Sequence, residues 1–343
     1  KMKRLQIFGS TPSPYTQKIL SLLRYRRIPY DVHWGQTQKR LEEQGIELPK
    51  PVLLPVILFE NEDNKMIATT DSTPIIRRLE SDYNVRQVVP NDPVLSFINY
   101  LLEDFADEWL TKYMFHYRWH FDKDISKAGD ILPLVEFEKR LSTEEHQQIK
   151  DFIIGRQTKR LWVVGSNNET ANLIDKSFKR FIKLFNEHLQ NVPFLFGNKP
   201  SSADFAFYGQ LSQLVNFDPT PRKICHQLAP RVVAWVEVMT DLSGINSDTR
   251  DWINLEENPS TLKDIFYEFG KMYAPLLVKN AEAVASAMDN WEVDIEGSLW
   301  KQKTFSYQAK CLNWIRDEFN TLKDKDQIRI REFLKGTNSE QIL

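Results

Sequence analysis

The chain has 343 residues, 41% of them hydrophobic and 27% charged, with 45 basic side chains against 47 acidic ones. That length accommodates two domains and a further lobe, and the balanced charge lacks the basic excess of a nucleic-acid surface. No apolar run approaches the roughly 20 residues that span a bilayer, and Cys225 and Cys311 lie too far apart for a CxxC zinc spacing or a disulfide framework. A reducing compartment is expected.

"RLQIF" reads as a strand and "YTQKILSLLRYR" as a helix, with Tyr15, Ile19, Leu22 and Leu23 at helical spacing. "PYDVHW" reads as a second strand. A polar stretch with a possible helix leads to "PKPVLLPVILFE", a third strand entered through prolines. "NEDNK" is a turn, "MIATT" a short strand, and "DSTPIIRRLESDY" opens another helix. This order predicts a small α/β unit on one mixed sheet. "VVPNDPVLS" marks a boundary. Beyond it, "VLSFINYLLEDFADEWLTKYMFHYRW", "NLIDKSFKRFIKLFNEHL", "SADFAFYGQLSQLV" and "RVVAWVEVMTDL" all read as helices. The last hundred residues add two more helical runs, with "WEVDIEGSLWKQKTF" between them as a small hairpin.

Three helix or strand entrances concentrate polar and proline residues. In "GSTPSPY", Pro14 suits the first helical position and Ser13 the N-cap. A serine there satisfies a backbone N–H, but the same helix end gathers N–H donors and partial positive charge that favour an anion, such as a ligand's thiolate. Capping and catalysis compete for this one side chain. In "LLPVILF", a cis Leu54–Pro55 bond would turn the backbone of Leu54 outward to pair with an extended peptide, whereas a trans proline would simply open an edge strand. In "TTDSTPII", Asp71, Ser72 and Thr73 crowd a helix start. Either they form a plain cap, or Ser72 holds a carboxylate while Asp71 faces an ammonium group.

Taken in this order, the three segments resemble the thioredoxin-like domain of the glutathione transferase superfamily. "SPYTQK" is similar to the active-site turn of its serine-type and cysteine-type classes, "LLPVI" to its cis-proline segment, and "DSTPII" to its Glu/Asp-Ser element. "PFLFGNKPSSADFAFYGQL" is similar to the signature of the helical domain, with Ser201 and Asp204 as a capping box. The resemblance covers about residues 3–243. It implies an α/β thioredoxin-like domain (3–83), an all-α helical domain (93–243) and an additional helical C-terminal lobe (244–343). It further implies that Ser13 activates the thiol of glutathione, with Ser10, Thr11 and Tyr15 as rivals for that role. Leu54 and Pro55 would meet the cysteinyl backbone, and Asp71 and Ser72 the γ-glutamyl end. No residue is assigned to the glycyl carboxylate, although Lys39, Arg40 and Lys50 are available.

The activity implied is a transferase or lyase in which glutathione, as co-substrate, attacks a small hydrophobic electrophile. The alternative is a non-catalytic relative that binds or assembles. A disulfide or dehydroascorbate-type reductase is disfavoured, because position 13 is Ser and neither cysteine lies in the first domain. "DEWLTKYMFHYRWHF" aligns Trp109, Tyr113 and Tyr117 at i, i+4 and i+8, and likewise His116 and His120. This is either a core or dimer-contact stripe or, as the resemblance implies, an electrophile-pocket wall with Tyr113, His116 and Tyr117 beside Tyr15. No metal site, nucleic acid or membrane partner is expected. A homodimer is expected by analogy only, and a cytoplasmic location from the cysteine usage. The C-terminal lobe is expected to pack on the helical domain and narrow substrate access.

Overall fold

The structure is a computed structural model that describes residues 3–137 and 140–343. Strand β1 (Leu5–Gly9) leads through the Ser-Pro turn to helix α1 (Pro14–Arg26). Strand β2 (Tyr30–Trp34), helix α2 (Thr37–Glu43), strands β3 (Val56–Glu60) and β4 (Met66–Thr69), and helix α3 (Ser72–Asp82) follow. The four strands form one mixed sheet in the order β2-β1-β3-β4. β1 runs parallel to β2 and antiparallel to β3, which is antiparallel to β4.

Period-two alternation decides what each sheet face covers. Ile7 and Ile57 point to the face packed by Ile19, Leu22, Ile75 and Leu79 of α1 and α3. Phe8, Val56 and Leu58 point to the other face, where Leu41 of α2 closes a smaller cluster. The predicted third strand begins only after Pro55, because prolines at 51 and 55 have no N–H to offer a ladder. The region from Gly35 to Pro49 supplies the short helix α2.

Helix α4 (Pro93–Phe105) is capped by Asp92, whose carboxylate accepts the Leu95 N–H at 2.9 Å. The single long helix expected here is interrupted by a π turn, Ala106–Leu110, before α5 (Thr111–His120). Then come α6 (Asp122–Glu136), α7 (Thr143–Thr158), α8 (Ala171–Asn191), α9 (Ser202–Ser212), α10 (Pro219–Leu228) and α11 (Pro230–Met239). The capping box at α9 is present: the Ser201 N–H donates to the Asp204 carboxylate at 2.8 Å. α9 lies against the start of α1, and Gly209 permits the approach, since a Cβ there would sit 2.4 Å from the Pro14 carbonyl oxygen.

The C-terminal region contains α12 (Ser260–Glu268), α13 (Ala274–Ala285), the expected hairpin β5 (Asn290–Ile295) and β6 (Ser298–Lys303), α14 (Ser306–Asn320) and α15 (Asp324–Leu334). Both α14 and α15 pack on α4, as Phe319 does on Phe97 at 5.5 Å between ring centroids. Among the described residues no helix is long and apolar enough to cross a membrane.

Candidate active site

A cavity of about 930 Å³ opens between the sheet unit, α4–α5 and α14. Ser13, Leu54, Asp71 and Ser72 all line it, so the structure brings four of the five residues expected to form the thiol and peptide site to one wall. The fifth, Pro55, is buried at the start of β3, and the Leu54–Pro55 bond is cis, as is Lys50–Pro51, which the sequence had not flagged.

Ser13 is the N-cap of α1. Its Oγ accepts the Thr16 N–H at 3.2 Å and, among the described residues, donates to nothing. The cap thus uses a lone pair and leaves the hydroxyl proton available. Of the rivals, Ser10 is buried away from the cavity and Thr11 is exposed outside it. Tyr15 lines the cavity, but its hydroxyl donates to the Asp107 carbonyl oxygen at 2.7 Å. Burial, then the charges of Glu108 and Asp107, hold that phenol well above its ordinary pKa. Arg118 steadies the turn from the helical side. It forms a two-pronged pair with Asp218 at 2.8 and 2.9 Å and donates to the Pro12 carbonyl oxygen at 2.9 Å.

Behind Ser72 lies a buried ionic cluster that sequence reading missed. Lys18, only 1% exposed, donates to Ser72 Oγ at 2.9 Å, Asp107 Oδ2 at 2.7 Å and Glu103 Oε1 at 3.1 Å. Thr73 donates to the same two carboxylates. Burial raises the pKa of Glu103, but Lys18, Arg77 and the Ser202 hydroxyl outweigh it and hold the group down to about 2. For Asp107 burial wins, and Lys18 does not offset it fully because Glu103 repels. One shared cation thus stabilises one carboxylate fully and the other in part. Since Lys18 already donates to Ser72, the Ser72 hydroxyl proton is left for a ligand acceptor, backed by a positive charge. Asp71 sits at φ +77°, half-buried, and accepts from the Tyr307 hydroxyl at 3.3 Å; burial raises its pKa.

Tyr113, His116 and Tyr117 do not line the cavity, so the expectation that they form the electrophile wall is corrected. The core-stripe reading holds. Tyr113 receives the Trp109 indole N–H at 2.8 Å, His116 pairs with Ser166 at 2.7 Å, and Tyr117 donates to Asp175 at 2.6 Å. All three are buried in the helical core. Burial and then His120 push the His116 imidazole down to about 3. The stripe that meets the cavity is rotated from theirs: Asp104, Glu108, Thr111, Lys112 and Phe115, at helical spacing along the end of α4, the π turn and α5. The carboxylates in "EDFADEW" were its legible signal. Lys39, Arg40 and Lys50 lie outside the cavity lining. The opposite wall is Phe305, Tyr307, Gln308, Cys311 and Trp314, so the C-terminal region borders the site.

Two family models match the sequence: glutathione S-transferase, N-terminal domain, over residues 7–87, and glutathione S-transferase, C-terminal domain, over residues 160–247. Residues 88–159 and 248–343 fall outside both. A comparison with curated proteins finds no match. Among solved structures, a glutathione transferase family member from Pseudomonas fluorescens Pf-5 with two glutathione bound is 14% identical. It covers 68% of this chain and 87% of its own, with a TM-score of 0.41. A glutathione transferase from Burkholderia graminis with two glutathione molecules per subunit is 16% identical over 72% and 90%, with a TM-score of 0.42. A beta-etherase from Sphingobium sp. strain SYK-6 is 16% identical over 77% and 99%, with a TM-score of 0.49. These likenesses are distant, and the assignment rests on the two domain models, found in order on a mixed sheet followed by a helical region. The chain belongs to the glutathione S-transferase superfamily.

Proposed function

We propose that the protein is a glutathione-dependent transferase or lyase in which Ser13 keeps the bound thiol ionised. The observation that carries this reading is the Ser13 hydroxyl. It stands at the N-terminus of α1, on the cavity, with its lone pair engaged by Thr16 and its proton unassigned. A hydroxyl donor and a helix N-terminus both favour the thiolate over the thiol, and the thiolate is the nucleophile. In this reading the Leu54 backbone pairs with the cysteinyl unit. Ser72, with Lys18 behind it, receives the γ-glutamyl carboxylate, and Asp71 faces the ammonium. The thiolate then forms a C–S bond to a small electrophile, whose leaving group departs or whose double bond takes up the proton.

A second reading, a non-catalytic binder, is favoured by the cap itself, since Ser13 serves α1 without any ligand. Ultraviolet difference spectroscopy of glutathione mixed with the protein separates the two. The transferase reading expects thiolate absorbance near neutral pH, and binding without it would overturn that reading. A homodimer in the cytoplasm belongs to the same proposal by family analogy, and sedimentation equilibrium tests the dimer.

A further inference from the structure

Resting on that reading of the site, we infer that the electrophile pocket is built for substrates carrying a positive charge: organic cations with an aromatic or aliphatic body. Beyond Asp71, which that reading gives to the ammonium of glutathione, the lining holds Asp104, Asp107, Glu108, Asp317 and Glu318. Against them stand only Arg77, Lys112 and Arg160.

The cations do not cancel the acids. Arg77 lies 3.7 Å from Glu103, a carboxylate that Lys18 also serves, and 5.8 Å over the Tyr100 ring, while Arg160 is an exposed side chain. Lys112 faces Glu108 electrostatically, yet among the described residues neither Glu108 nor Asp104 forms an ion pair. Among the described residues Asp104 takes one hydrogen bond, from the Tyr273 hydroxyl at 2.6 Å, and the Glu108 carboxylate accepts one, from the Gln308 amide at 3.2 Å. Asp107 is 8% exposed, and while Lys18 serves its Oδ2, its Oδ1 has no hydrogen-bond partner. A buried acceptor left unpaired is costly, and a cationic donor is the group that satisfies it best.

The remaining walls suit the same ligand. Phe115, Phe305, Tyr307 and Trp314 line the cavity, and no guanidinium or ammonium of the protein stacks on them among the described residues. Tyr307 and Trp314 meet edge to face at 6.0 Å. Aromatic faces beside carboxylates attract a desolvated cation. Protonation shows the same crowding. Burial above all, then Asp107 and Glu103, hold Asp104 up to about 7, against the Tyr273 hydroxyl and Lys18, and a bound cation relieves that repulsion.

The test compares two shapes that differ in charge. Binding of benzyltrimethylammonium and of its neutral isostere neopentylbenzene is measured by ligand-observed NMR on the full chain. The reactive pair is para-(trimethylammoniomethyl)benzyl chloride and para-neopentylbenzyl chloride. With either, the glutathione sulfur forms the C–S bond while chloride leaves with the C–Cl electron pair. We expect the cation to bind and react at least about tenfold better than the isostere, the scale of one desolvated cation–π contact. In Asp104→Asn/Glu108→Gln that ratio should fall toward one. Equal affinity for the two shapes in the wild type, or a ratio unchanged in the double variant, overturns the inference. Loss of glutathione binding alone would sink the transferase reading, while the benzyltrimethylammonium comparison would still decide this one.

Discussion

Replacing Ser13 with Ala removes one oxygen that serves two roles, and the structure separates their sizes. As a cap, Ser13 Oγ accepts a single N–H at 3.2 Å. Its loss should lower stability by about 1 kcal/mol, since the fixed φ of Pro14 and the remaining turn contacts keep the helix start in place. As a thiolate donor the same oxygen contributes a charge-assisted hydrogen bond, worth roughly 1.5–3 kcal/mol. At about 1.4 kcal/mol per pKa unit, that predicts a rise of roughly one to two units in the pKa of the bound thiol. The assay is a pH titration of the thiolate absorbance of bound glutathione in the wild type and in Ser13→Ala, with urea unfolding of both. The expected result is a thiol titration moved up by at least one unit alongside a small stability loss. An unmoved titration in a folded variant would refute the reasoning, because no other hydroxyl of the turn both lines the cavity and has a proton to give. Tyr15, the one rival on the cavity, spends its proton on Asp107.

Lys18→Met should be far more damaging than its single methylene-chain exchange suggests. It leaves Glu103 and Asp107 buried without their shared cation, at a cost of about 3–5 kcal/mol by urea denaturation; a loss below about 1 kcal/mol would show the cluster to be hydrated. Ser72→Ala should weaken glutathione binding by roughly ten- to a hundredfold by calorimetry, as expected for a lost hydrogen bond to a charged group, and unchanged affinity would remove Ser72 from the γ-glutamyl site. Asp104 gives a pH signature: its folded pKa is raised, so the folded state holds the extra proton and stability falls as pH rises from about 4 through 7. The slope is at most about 1.4 kcal/mol per pH unit. Glu103, held low, works in the opposite direction and loses its contribution as pH falls below about 4.5 toward 2. In Asp104→Asn the decline between about pH 4 and 7 should flatten, and an identical decline would show that Asp104 titrates normally.

The sequence was most legible where the chemistry is local. The sheet unit follows from alternating apolar runs punctuated by proline, and the Ser13 turn from a cap and a proline side by side at the start of the chain's first helix. The mixed sheet, the capping box at Ser201 and the hairpin at 290–303 are local in the same sense. What the sequence did not show is assembled from distant segments. Lys18 reads as a surface lysine on an amphipathic helix, and only the approach of α4 and α3 turns it into the center of an ionic cluster. The aromatic residues Tyr113 and Tyr117 drew attention because they are large, yet size drives them into the core. The cavity wall belongs to the carboxylates, a stripe rotated about the same helix. Nor does sequence spacing reveal that residues 305–314 return more than two hundred positions later to face Ser72.

Tyr15 and Lys18 lie three residues apart on one face of α1, and both reach Asp107, the first through its carbonyl oxygen and the second through its carboxylate. Asp107 sits in the π turn, where the backbone ladder is already irregular. Arg118, one helix further on, reaches back to the Pro12 carbonyl oxygen. The Ser13 turn is thus held on both sides by the helical region, and the sheet unit alone does not fix where its hydroxyl points. It follows that Arg118→Met should disturb the thiol before it disturbs the fold, provided Asp218 is changed to Asn in the same chain so that no unpaired carboxylate is buried with it. In Arg118→Met/Asp218→Asn we expect the bound-thiol titration to broaden and rise by about half a unit or more, at an unfolding midpoint that tracks the lost pair. If the titration stays with the wild type while stability drops, the clamp serves folding alone, and the geometry of the turn is set within α1 itself.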